Sequence, residues 1–205
     1  VSEFEFYLLG YSGHAYVVLD SALQLGWKCL GYYEREEKLD NPFRLNFIGS
    51  ETLEDNWLGR KVFPAIGHNS IRFALVKELM SKGVDGINIV DSHAIVSEYS
   101  QLGHLNYIAK GSVIQSLVNI GDGCIINTGA IVDHECCLQD GVHVSPRAVL
   151  CGGVQVGERT WIGAGAVIKE GIQIGSDVLI GAGSVVLRDV PNGAKCWGVP
   201  AKIRI

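Results

Sequence analysis

The chain lacks several things, and each absence narrows its class. No apolar run approaches the roughly 18 residues of a membrane-crossing helix, so no membrane span is expected. The first residues, Val-Ser-Glu-Phe-Glu-Phe, carry no basic stretch and do not read as a signal peptide. Charge is sparse: 19% of residues are charged and the net charge is −5, which argues against a nucleic-acid-binding surface. Six cysteines are present but no Cys-x-x-Cys; no disulfide framework is indicated, and a reduced, cytoplasmic protein is expected. A complete Gly-x-Gly-x-x-Gly fingerprint is missing too, which leaves a dinucleotide site poorly supported.

Against these absences stands one strong signal. From Val90 to Val186 an aliphatic residue returns at every sixth position, seventeen times in succession and without insertion. A small or medium residue precedes many of them by two positions: Ala94, Ser112, Cys124, Ala130, Cys136, Ala148, Thr160, Ala166 and Ser184. Period six fits neither a helix nor a two-sided strand. It suits a chain that turns a corner every six residues and stacks short parallel strands into a triangular prism of about five to six coils, on the order of 25 Å tall. Such a repeat supports itself only as a stack. Cys124, Cys136 and Cys151 fall at or near its inward positions, where a small apolar residue is wanted.

Residues 1–88 lack the period and are expected to fold separately from 89–205. Phe4–Leu9 reads as a strand, Gly10-Tyr11-Ser12-Gly13-His14 as a turn, and Ala15–Leu25 as a helix closed by Gly26. Trp27–Tyr33 is a second strand. The charged stretch 34–60 reads as a solvated loop leading to a short strand at 45–48. A further strand ends in Ala65-Ile66-Gly67-His68-Asn69, and Ser70 is expected to cap a helix to Ser81. Two strand-to-helix turns then share the carboxyl edge of one small parallel sheet, where open α/β folds bind ligands. The helix N-terminus after Gly13 suits a diphosphate, with His14 as a donor. The fold class is therefore a Rossmann-like α/β N-terminal domain followed by an all-β parallel β-helix.

On the prism, His134 is the candidate for chemistry. It sits at an outward position between Asp133 and Glu135, and either carboxylate could orient its ring. Asn127 lies just before it. His143, nine residues on, belongs to a different face, so the two histidines could meet only across an interface between copies, as in a trimer with its sites in the clefts. Gly152, one coil from His134, is expected to leave the surface beside it bare for a slender ligand.

These segments resemble a known family. The hexapeptide register is similar to that of the left-handed parallel β-helix acyltransferases, as is the ending Trp197-Gly198-Val199-Pro200-Ala201-Lys202. Gly10-Tyr11-Ser12-Gly13-His14-Ala15, Ala65-Ile66-Gly67-His68-Asn69, Ile126-Asn127-Thr128-Gly129 and Val132-Asp133-His134-Glu135 resemble the nucleotide-sugar acetyltransferase branch. That branch takes in UDP-4-amino-sugar and GDP-perosamine N-acetyltransferases and the sialic-acid O-acetyltransferase group. The resemblance implies a homotrimer that uses acetyl-CoA as co-substrate and needs no metal. His134 would be the general base, oriented by Glu135 or Asp133, with Asn127 at the sugar or the reacting centre. His143 of the neighbouring chain would lie near the acetyl carbonyl. Gly152, Ala164 and Ala182 would line the pantetheine channel, with Pro200 and Lys202 at the adenosine end. Gly10, Ser12, Gly13, His14, Gly67 and Asn69 would hold the nucleotide, and Tyr33 or Glu34 would meet the base. Relatives tend to carry two acids at that last position; this chain has Tyr32-Tyr33-Glu34.

The implied reaction is N-acetylation of the 4-amino group of a UDP-linked amino-sugar. The alternatives are a GDP-perosamine acceptor, O-acetylation of a sialic acid, and a sugar-nucleotide-binding protein without turnover. A trimeric zinc enzyme of the carbonic-anhydrase type is disfavoured, because His93, His104, His134 and His143 lack ligand spacing.

Overall fold

The computed structural model of the chain describes residues 4–50, 59–84 and 86–204. The first three residues and positions 51–58, part of the charged 34–60 stretch, lie outside the described residues. The N-terminal unit is a four-stranded parallel sheet of β1 (Glu5–Leu9), β2 (Lys28–Tyr33), β3 (Phe47–Gly49) and β4 (Val62–Pro64), in the order β3-β2-β1-β4. Two helices, α1 (Gly13–Gln24) and α2 (Asn69–Ser81), follow β1 and β4. Gly26, at φ +76°, ends the first of them as its sequence position suggests. The second begins two residues earlier than expected, with His68 rather than Ser70 at the N-cap and no side-chain capping bond. Asn69, the first helical residue, directs its side chain toward the prism.

Seventeen two-residue strands, from Ile89–Val90 to Val185–Val186, build the parallel β-helix, one for each aliphatic of the hexapeptide register. Strands 18 residues apart pair in parallel and form three faces. The register residues point inward, and from Ile108 onward they are buried together with the small residues two positions before them. Val90, Val96 and Leu102 are only partly buried, because the first coil has a neighbour on one side alone. Polar inward groups bond back to the chain: Ser112 Oγ donates to Ala109 O and Thr160 Oγ1 to Gly175 O. The glycines that follow several register residues permit close stacking. At Gly163 an added Cβ would lie 2.5 Å from the carbonyl oxygen of Ile180 in the next coil.

From Leu105 onward the prism turns each corner through one left-handed residue. Every sixth position from Leu105 to Gly183 has positive φ, and Glu135 is one of the non-glycine members, at φ 59°. The polypeptide after Val186 adds a strand (Lys195–Gly198) to one face and folds back on it antiparallel (Ala201–Arg204).

The two units share a core. Phe6, Leu8, Ala15, Val18 and Phe63 pack with Ile89, Tyr107 and Ile125, outward residues of one prism face. Polar ties cross the same seam: Ser21 Oγ donates to Asp91 at 2.5 Å, Lys110 pairs with Asp20, and Lys77 with Asp140. Among the described residues no helix is long and apolar enough to cross a membrane.

Candidate active site

At the carboxyl edge of the small sheet lies a cleft of about 590 Å³. Gly10, Ser12, His14, Glu34 and Gly67 line it, together with Arg35, Lys38 and His68. Gly10 has φ +88°, and a Cβ there would sit 3.0 Å from Ile66 Cγ1, so the β1–α1 turn needs glycine on both counts. Gly13 opens α1, and a Cβ at this position would meet nothing within 4 Å. The turn is pinned from β2: the Tyr11 N–H donates to Glu34 Oε2 at 3.2 Å, and Lys38 pairs with the same oxygen at 3.4 Å. Burial works to raise the Glu34 carboxyl, but the Tyr11 and Arg35 N–H groups and the Lys38 ammonium outweigh it and hold it below its ordinary value.

Three of the expected nucleotide residues do not line this cleft: Gly13, between the lining residues Ser12 and His14, and the more distant Tyr33 and Asn69. Tyr33 is buried, and its hydroxyl accepts from Arg60 at 2.6 Å; its side chain belongs to the core cluster of Leu9, Val62, Val76 and Leu79. Asn69 faces the prism, where its amide donates to the carbonyls of Arg159 and Thr160 at 2.9 and 3.1 Å. Arg35 and Lys38, read from sequence as solvated loop, are brought to the cleft by the turn after β2. A charged run carries no periodicity that would have revealed this.

On the prism, His134 is exposed at a corner. Its Nδ1 lies 3.0 Å from Glu135 Oε2, while Asp133 Oδ1 accepts from its backbone N–H at 2.8 Å. Glu135 therefore meets the ring and Asp133 fixes the turn. With Nδ1–H directed to a carboxylate, Nε2 keeps a free lone pair. The surface beside the ring is not bare as expected from Gly152. A Cβ on Gly152 would fall 2.4 Å from His134 Cε1, so the glycine makes room for the imidazole itself.

His143 has a different environment. It is 5% exposed, with its ring against Trp161 at a centroid separation of 4.4 Å. Asn127 Oδ1 accepts from the Thr128 N–H, which turns its Nδ2 toward His143 Nε2 at 3.1 Å. His143 thus carries its proton on Nδ1, and that atom is buried without a partner among the described residues, as is His14 Nε2. Burial first, then the Arg72 guanidinium and His14, lower His143 to about 3; burial and Arg72 lower His14 to about 4. Both are neutral donors or acceptors near pH 7.

The residues expected along one acyl channel occupy two corners. Gly152 shares the corner of His134, whereas Ala164 and Ala182 are exposed at the preceding corner, the one that carries Asn127 and Thr128. Pro200 and Lys202 line a separate cleft of about 480 Å³ near the end of the prism, together with Arg188.

Comparison with known proteins fits this geometry. Residues 5–79 match the family described as PglD N-terminal domain, and residues 153–188 match the bacterial transferase hexapeptide (six repeats). PerB from Caulobacter crescentus, solved in complex with CoA and GDP-perosamine, is 34% identical over 100% of this chain and 99% of its own, with a TM-score of 0.91. The chain belongs to the hexapeptide-repeat nucleotide-sugar acetyltransferases. The acetyltransferase domain of PglB from Neisseria gonorrhoeae, in complex with acetyl coenzyme A, is 29% identical over 99% of this chain and 100% of that one, with a TM-score of 0.92. WeeI from Acinetobacter baumannii AYE, 22% identical, shares the fold at a TM-score of 0.86. No curated protein sequence matches the chain. The two clefts and the His134 corner lie on the α/β unit, at the C-terminal tail and on the prism respectively. Among the described residues, no group of three or more His, Cys, Asp or Glu is placed to hold a metal ion.

Proposed function

We propose that this chain transfers an acetyl group from acetyl-CoA to the 4-amino group of a nucleotide-linked amino-sugar, with UDP-4-amino-4,6-dideoxy-N-acetylglucosamine as acceptor. The observation that carries the reading is the exposed His134–Glu135 pair at 3.0 Å. The sugar amine attacks the thioester carbonyl carbon, and His134 Nε2 takes its proton as the C–N bond forms. The C–S bond breaks, and the same proton passes to the departing CoA sulfur. General-base help of this kind contributes roughly 10² to 10⁴ in rate, with positioning supplying the rest. Direct transfer needs no side-chain nucleophile. Cys136, two residues from His134, points into the core, and burial pushes its thiol up to about 11.

The α/β cleft would take the nucleotide, with its diphosphate at the start of α1 and beside Arg35 and Lys38. Arg188 and Lys202 give the C-terminal cleft the charge for a phosphate of CoA. The prism also supports a threefold assembly. The face between the Ala164–Ala182 corner and the His134 corner presents Ile95, Val113, Ile131, Val149, Val167 and Val185 outward, an aliphatic column the full height of the prism. Three copies joined through that face would set the His134 corner of one chain against the Ala164–Ala182 corner of the next, which unites the divided acyl channel.

A second reading, GDP-perosamine as acceptor, is favoured by the 33–34% identity to the Caulobacter enzyme. Glu34 suits it as well, since a carboxylate matches the two adjacent N–H donors of guanine. A thiol-release assay with acetyl-CoA over UDP-4-amino-4,6-dideoxy-N-acetylglucosamine, GDP-perosamine, and free and CMP-linked sialic acid separates the readings. Release with one amino-sugar nucleotide is expected. Release with sialic acid alone would replace N- by O-acetylation, and CoA binding without turnover on any acceptor would count against this acceptor class.

A further inference from the structure

One buried ion takes no part in the reaction just described. Arg72 of α2 is 1% exposed, and all five of its N–H bonds are taken. Nε donates to Gly123 O at 2.7 Å, Nη1 to the carbonyls of Ile66 and Gly67 at 3.0 Å each, and Nη2 to Asn69 Oδ1 and Gly141 O at 2.9 Å each. None of these acceptors is a carboxylate, so the charge is not there to make an ion pair, and burial lowers the guanidinium to about 10. With every donor occupied, Arg72 cannot bind a ligand itself.

What the five bonds join is informative. Ile66 and Gly67 are a wall of the nucleotide cleft, and Gly67 backs onto His14, where an added Cβ would lie 3.7 Å from His14 Cβ. Gly123 and Gly141 are corner residues of successive coils. Both must be bare for α2 to lie on them: a Cβ would stand 2.7 Å from Val76 Cγ2 at the first and 3.1 Å from Phe73 Cδ2 at the second. Asn69 extends the same contact to the next coil through Arg159 and Thr160. A planar fork of five donors fills five acceptors, on three backbone segments and one side chain, at once; an ammonium with three donors leaves at least two of them unfilled.

We propose that Arg72 is a positioning residue of the active site, which fixes the Ile66–Gly67 wall of the nucleotide cleft to the prism corners and so sets the spacing between the bound nucleotide and the reacting end of the sugar. The identity of the ligand rests on the function proposed above; the mechanical role does not.

The test compares the parent with Arg72→Lys, which keeps the charge and loses the fork, and with the milder Asn69→Ser, which removes one acceptor. Calorimetry with UDP, GDP and CoA as probes reads each site separately, and hydrogen exchange of residues 65–72 reads the wall without any ligand. In Arg72→Lys the nucleoside diphosphate that the parent binds should bind at least tenfold more weakly, CoA should stay within twofold, and exchange across 65–72 should rise at least tenfold. Asn69→Ser should weaken the same nucleotide about threefold. A merely structural arginine would lower the folded fraction, and hence the binding stoichiometry, with dissociation constants unchanged. Nucleotide affinity within twofold of the parent in both folded variants would overturn the proposal. If the parent binds neither UDP nor GDP, the functional reading fails, and exchange alone decides: unaltered protection in the folded variants overturns the positioning role.

Discussion

Two faces of the same prism share an inside and differ completely outside. On one, the outward residues of successive coils are Ile95, Val113, Ile131, Val149, Val167 and Val185; on the other they are Gln101, Asn119, Cys137, Gln155 and Gln173. The inward register is aliphatic in both, so the hexapeptide repeat builds the two faces equally well. Amide side chains satisfy themselves in water, whereas a column of β-branched aliphatics is an unusual thing to leave there. The repeat therefore accounts for the prism, and the outward residues decide what each face meets.

The largest effect should come from breaking that difference. Val149→Asp with Val167→Asp is expected to give a monomer by light scattering and at least a 10²-fold fall in turnover, because a buried unpaired carboxylate opposes association and the acyl channel is divided. A trimer that survived this pair would show that the aliphatic face is not the interface. Next is His134→Ala, at the edge of that face. Loss of the proposed base should lower turnover by at least about 10²-fold with assembly intact, and normal turnover would remove the mechanism.

The third face, covered by the α/β unit, adds a contrast in titration. His14 and His143 sit at about 4 and about 3 in the folded protein, below the ordinary value of 6.5. Between those limits the unfolded chain binds more protons, so their contribution to stability is complete above pH 6.5. It is lost as pH falls toward 4 and 3, at up to about 1.4 kcal/mol per pH unit for each group. Urea midpoints measured from pH 7 to 4 should follow this slope, and His143→Phe should flatten it. A smaller effect is expected of Gly152→Val. The side chain would displace the His134 ring from a Cβ position only 2.4 Å from Cε1. Turnover should drop roughly tenfold with little change in melting temperature, since a flexible exposed ring can swing aside. Gln155→Glu, on the amide face, should change assembly and rate by less than twofold, consistent with an exposed surface substitution.

The sequence was most legible where one physical rule repeats. The six-residue period announced the coils, and Gly10, Gly13 and His14 marked a turn at a sheet edge that the structure opens into a cleft. It was least legible where residues distant along the chain share a contact. Asn69 looked like a ligand residue from its motif but bonds to the prism 90 positions on. Arg72 belongs to no motif, and its five acceptors come from segments up to 69 residues away. Gly152 looked like open surface, because its spacing places His134 one coil away without saying where the ring lies.

By itself, then, the sequence determined the prism, the order of its strands and the position of His134 on an outward corner, because a period imposed on close-packed coils leaves each residue one place to point. Only the tertiary structure decided which carboxylate holds that ring, which residues the sheet-edge cleft gathers, and how α2 is anchored. Those depend on the docking of two units, and docking is set by shape and unsatisfied hydrogen bonds that no local pattern encodes.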